Sequence, residues 1–103
     1  MTLRTVLFSG RAKRHLHAIE RYIAKKASPR EAAAYVERIV RRCDRIALAP
    51  LQGERLDELR PGLRKTGMED RVAILFVVTE TTVTILSIAY GGRQFESDFR
   101  AES

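Results

Sequence analysis

Arg71-Val72-Ala73-Ile74-Leu75-Phe76-Val77-Val78 is apolar at every position after the arginine. Its length and its Val and Ile content predict a strand. Side chains alternate along a strand, so Val72, Ile74, Phe76 and Val78 share one face and Ala73, Leu75 and Val77 share the other. An antiparallel strand with one wetted face alternates apolar with polar, and this one does not. Both faces therefore need cover. Exposed apolar patches on small proteins often mark interfaces, so Leu75 and Val77 are expected to meet a partner chain. The bland alternative is a central strand covered by its own loops.

Working outward, residues 79–82 (Thr-Glu-Thr-Thr) predict a turn and residues 83–90 a last strand closed by Gly91-Gly92. Residues 93–99 read as one short helical turn. Upstream, residues 62–68 predict a short strand that turns at Glu69-Asp70. Three strands with short connections give an antiparallel meander. Before them, Pro50, Gly53, Pro61 and Gly62 punctuate a loop that holds Leu56 and Leu59.

The first half is helical. Ser28-Pro29-Arg30-Glu31 is a capping box with proline at the first helical position. The helix it opens runs to about Leu48 before Pro50, with Val36, Ile39, Val40, Cys43, Ile46 and Ala47 on one side. Arg38, Arg41, Arg42 and Arg45 crowd the other. Ser9 caps an earlier helix over about residues 10–26, whose seam is Ala12, Leu16, Ile19 and Ile23. The short link between the two makes them an antiparallel hairpin. A strand over residues 3–8 precedes them. The expected architecture is α+β in the order β-α-α-β-β-β, one domain over residues 1–103. The two-helix hairpin packs on a twisted antiparallel sheet.

The 103 residues carry a net charge of +6. Residues 1–49 hold twelve Lys/Arg against four Asp/Glu, and residues 50–103 hold seven against nine. The excess belongs to the first half and predicts an acidic partner, protein or nucleic acid. The single cysteine, Cys43, lies on an apolar seam and reads as core, with no internal disulfide. No signal peptide or membrane-length apolar run is seen, so the chain is expected to be cytoplasmic with no membrane partner.

Little points to metal or cofactor chemistry, and neither is expected. His15 and His17 fall on different faces of one helix and read as exposed, and no glycine pattern matches a phosphate loop. Ribonuclease chemistry needs a base, an acid and cations for the phosphorane charge. Arg60, Arg64, Lys65, Arg71 and Arg93 supply cations and Tyr90 a phenol. No histidine in the second half supplies the base. Glu69 and Asp70 sit only at the turn.

Several of these residues also form a recognisable set. Asp57-Glu58-Leu59-Arg60-Pro61-Gly62-Leu63-Arg64-Lys65 resembles the loop-to-strand signature of the ParE toxins in the RelE/ParE superfamily. Ile85-Leu86-Ser87-Ile88-Ala89-Tyr90-Gly91-Gly92-Arg93 resembles that family's terminal strand and Gly-Arg turn. Leu7-Phe8-Ser9 with Ala12, and Ile19 with Tyr22-Ile23, resemble its first strand and helix. The likeness spans nearly the whole chain in order. It departs at residues 66–71, Thr-Gly-Met-Glu-Asp-Arg, where the family has a more aromatic entry to the strand.

The resemblance implies the hairpin-on-sheet fold and a ParD-like antitoxin, which would wrap an acidic segment along the toxin in a hetero-oligomer. It implies inhibition of DNA gyrase by binding, without catalytic residues. Arg60, Arg64, Leu75, Val77, Tyr90 and Arg93 are then the antitoxin- or target-binding residues. RelE-like relatives instead cleave messenger RNA on the ribosome, and on that alternative Arg64, Arg71 and Tyr90 would be catalytic. A third alternative is an inactive relative that only pairs with its antitoxin.

Overall fold

The computed structural model describes residues 4–91; Arg93 and the turn expected over residues 93–99 lie outside them. Strand β1 (Thr5–Phe8) leads into α1 (Gly10–Lys26) and α2 (Pro29–Ile46). These are followed by β2 (Glu54–Arg55), β3 (Leu63–Met68), β4 (Val72–Val78) and β5 (Thr82–Tyr90). Both helix starts follow from their caps. The Ser9 hydroxyl accepts the Ala12 amide at 3.0 Å, and the Ser28 hydroxyl accepts the Glu31 amide at 3.1 Å ahead of Pro29.

The sheet order is β1-β5-β4-β3-β2. The meander β2 to β5 is antiparallel, and β1 joins the last strand in parallel, Thr5 beside Thr82 and Phe8 beside Ile85. The sequence predicted β1 but not its place in the sheet. The segment read as a loop before Pro61 contributes the two-residue β2.

One core fills the space between hairpin and sheet. Ile74, Phe76, Val83, Ile85 and Ile88 meet Ala12, Ile19, Ile39, Cys43 and Ile46 there. A second, smaller core lies on the other face, where Leu75, Leu63 and Ala89 are covered by Leu56, with Leu59, Val77 and Leu86 packed around them. This corrects the expectation that a partner must cover Leu75. The chain's own loop does so, because Leu56 and Leu59 fold back over the sheet, and Leu75 is 0% exposed.

Strand β5 carries an irregularity. Leu75 pairs with Ser87 and Phe76 with Ile85, so Leu86 has no partner in the register. Strand β1 stops beside Ile85, so beyond that pair this edge of β5 has no neighbouring strand and its backbone groups need other partners. Ser9 and helix α1 supply them. The Ser9 hydroxyl donates to the Leu86 carbonyl at 3.0 Å, and the Ile88 amide donates to Nδ1 of His15 at 3.0 Å. His15 is therefore half-buried and structural, which corrects its reading as an exposed helix residue. His17 is exposed as expected.

Candidate functional site

Tyr90, at the end of β5, faces the helical hairpin. Its ring meets Tyr22 of α1 at 5.9 Å and 61°, and Tyr35 of α2 at 5.5 Å and 78°. Both are edge-to-face contacts of the kind aromatic quadrupoles favour. The hairpin explains the grouping, since Tyr22 and Tyr35 lie at similar distances on either side of the Ser28 turn. Lys26 sits 5.7 Å over Tyr22 and Arg38 sits 5.0 Å over Tyr35, adding cation–π attraction. Tyr22 is 53% exposed, and a cavity of about 350 Å³ opens here, lined by Ala18, Ile19, Tyr22, Tyr90 and Gly91.

The Tyr35 hydroxyl is buried with no hydrogen-bond partner among the described residues. Burial pushes its pKa up and the neighbouring Tyr90 adds to this, while Arg38 and Arg71 pull the other way. The phenol is thus held in its neutral form.

Of the residues singled out from the sequence, this end of the sheet gathers Tyr90 and Arg71. Val72 pairs with Tyr90, the Gly91 amide donates to the Arg71 carbonyl at 2.9 Å, and Arg71 is close enough to lower the Tyr35 pKa. Arg64 is not with them. It pairs with Phe76, four residues from Val72 along β4, a separation of roughly 13 Å. Its Nη1 donates to the carbonyls of Leu51 at 2.9 Å and Gln52 at 3.4 Å. Arg60 is exposed on the loop beyond it, and Val77 pairs with Leu63 at the same end. Leu75 is buried beneath that loop. Glu69 and Asp70 form the expected turn, both at positive φ, and Glu69 is paired with Arg38. Among the described residues no cluster of His, Cys, Asp and Glu is built to hold a metal.

Sequence reasoning missed Tyr22 and Tyr35. Both are aromatic residues on otherwise predicted helices, and only the hairpin register would have placed them beside Tyr90. It also missed Arg42, which had been grouped with the basic side of α2. Arg42 donates to Gln52 Oε1 at 2.6 Å, Thr66 Oγ1 at 2.8 Å and the Gly67 carbonyl at 3.2 Å, locking α2 to β3 and the loop. The charge of the hairpin is mostly positive. Helices α1 and α2 hold eleven Lys/Arg against four Asp/Glu. No helix among the described residues is long and apolar enough to cross a membrane.

The family described as ParE toxin of type II toxin-antitoxin system, parDE, matches residues 6–95. No curated protein matches the chain. Among solved structures, the chromosomal ParDE toxin–antitoxin system from P. aeruginosa is similar at 23% identity with a TM-score of 0.74. The match covers 87% of this chain and 98% of that one. The RelBE2 toxin–antitoxin complex from Mycobacterium tuberculosis is similar at 26% identity with a TM-score of 0.56, covering 86% and 99%.

Proposed function

This chain belongs to the ParE toxin family of type II toxin–antitoxin systems, and from that membership we propose that it is a cytoplasmic toxin held in check by a ParD-like antitoxin and acting on DNA gyrase by binding. The antitoxin half of the proposal is supported by charge. A hairpin with eleven cations against four carboxylates suits an acidic partner segment.

The binding half rests on one observation. The three residues of the ribonuclease alternative do not converge, since Arg64 lies four ladder steps from Tyr90 and is tied to loop carbonyls. Tyr90 itself is held by ring packing on both sides. General acid–base cleavage needs its groups within hydrogen-bond reach of one reacting centre.

The test is a pair of assays on purified protein. Gyrase supercoiling should be inhibited, with cleaved DNA accumulating, while primer extension on translated messenger RNA should show no new 5′ ends. Messenger RNA cleavage with unimpaired supercoiling would replace this reading with the ribonuclease.

A further inference from the structure

At the end of the sheet away from Tyr90, a cleft of about 470 Å³ is lined by Arg4, Arg55, Arg64, Leu51, Val78 and the β4–β5 turn, with Asp57 and Glu80 at its edges. Its three arginines are in different states. Arg55 is already neutralised, because its Nε donates to Asp57 Oδ2 at 2.8 Å. Asp57 is in turn satisfied, with Oδ1 accepting the Gly62 amide at 2.9 Å; that bond and Arg55 hold its carboxyl below the usual carboxylate range.

Arg4 and Arg64 are held instead by main-chain carbonyls. Arg4 Nε donates to the Thr79 carbonyl at 2.7 Å, and Arg64 Nη1 to those of Leu51 and Gln52. A carbonyl fixes a guanidinium without cancelling its charge. Two cationic forks are therefore oriented in one cleft, with their remaining N–H donors unclaimed among the described residues. A fixed, planar fork matches a carboxylate and loses little freedom when it binds one.

We propose that this cleft is a carboxylate site that receives one Asp or Glu side chain of an acidic peptide segment, with an adjoining apolar side chain resting on Leu51 and Val78. It rests on the antitoxin reading above and names where that segment is anchored. Leu51 is 74% exposed, the largest exposure among the big apolar side chains of the described residues, so an occupant has apolar surface to cover beside the charge. That pairing of cation and apolar ledge suits a peptide better than a phosphate backbone. Glu80 favours the same choice, because its like charge repels a phosphate more than a single carboxylate.

Calorimetric titration decides it, using a synthetic peptide of the acidic segment of the ParD-like antitoxin proposed above. A companion series replaces its Asp and Glu by Asn and Gln one at a time. One acidic position should matter about 10- to 100-fold with the wild type and hardly at all with Arg4→Gln, the signature of a direct charge-assisted contact. Arg64→Lys, which keeps the charge but not the fork, should weaken binding at that same position. Glu80→Gln should tighten the unmodified peptide about two- to fivefold, a gain that no folding defect imitates. Peptide binding that Arg4→Gln leaves unchanged overturns the cleft and spares the antitoxin reading. No binding to the wild type overturns both. Arg4-dependent binding of a 20-base-pair DNA duplex would make the cleft a phosphate site and also overturn the proposal.

Discussion

Nδ1 of His15 accepts the backbone amide of Ile88 at 3.0 Å, joining α1 to β5 two residues before Tyr90. A buried amide left without that acceptor keeps its desolvation cost, about 1–3 kcal/mol. His15→Leu should lower stability in urea by that amount, and His17→Ala by less than about 0.5 kcal/mol. Equal effects would mean that the Ile88 amide finds water instead.

Leu75 and Phe76 are neighbours on opposite faces, and both are 0% exposed. Leu75→Ala and Phe76→Ala should each cost roughly 2–5 kcal/mol in denaturant melts of the isolated protein. Val77, only half-buried, should cost less. A near-neutral Leu75→Ala would mean that the loop carrying Leu56 does not stay closed over the second face.

Tyr90→Phe removes one hydroxyl and keeps the ring against Tyr22 and Tyr35. A general acid contributes about 10²–10⁴-fold to rate, so a ribonuclease relying on this phenol should lose its toxicity. A binding toxin should keep it. At matched expression, growth arrest by Tyr90→Phe is expected to equal that of the wild type. An inactive, folded Tyr90→Phe would favour catalysis.

Arg42 is the most connected cation of α2, with three acceptors in the loop and β3. Arg42→Ala should destabilise by about 1–3 kcal/mol, because Gln52 and Thr66 lose a shared charged donor. Exposed Arg45→Ala should fall within about 0.5 kcal/mol. Thermal melts of both variants make the comparison.

Burial in the core pushes the Cys43 thiol up to about 12, from an ordinary 9.0. The folded chain keeps the thiol protonated where the unfolded chain ionises. This stabilisation is therefore whole below about pH 9 and fades as the pH rises toward about 12. Native protein at pH 8 should resist iodoacetamide and react at a rate set by unfolding. Prompt labelling of native protein would show that the site opens without unfolding.

Much of this was legible because it rests on local signals. The Ser9 and Ser28 caps, the seam from Ala12 to Ile23 and the turn at Glu69-Asp70 each lie within a few residues of what they control. The apolar run of β4 correctly announced that both faces are buried. It did not say by what, since the cover comes from Leu56, across a loop whose closure no periodicity encodes. The candidate site was legible only in Tyr90 and Arg71. Their partners Tyr22 and Tyr35 depend on the hairpin register, and the Arg4–Arg64 cleft depends on β1 lying beside β5. His15 was misread because the demand that it meets, the Ile88 amide on an edge of β5 beyond the end of β1, arises far away in the sequence.

The parallel pairing of β1 with β5 joins residues about 77 positions apart, Thr5 with Thr82 and Phe8 with Ile85. The helical hairpin between them closes through local contacts, and such contacts form first, whereas long-range pairing waits for the whole loop to be drawn in. During synthesis, β1 has no strand to join until β5 has left the ribosome. Chains emerge at about 5–20 residues per second. Until β5 has emerged the molecule is thus a helical hairpin with an open sheet, and the surface built around Tyr90 does not yet exist. The fold itself delays the appearance of that surface until its last described strand is made.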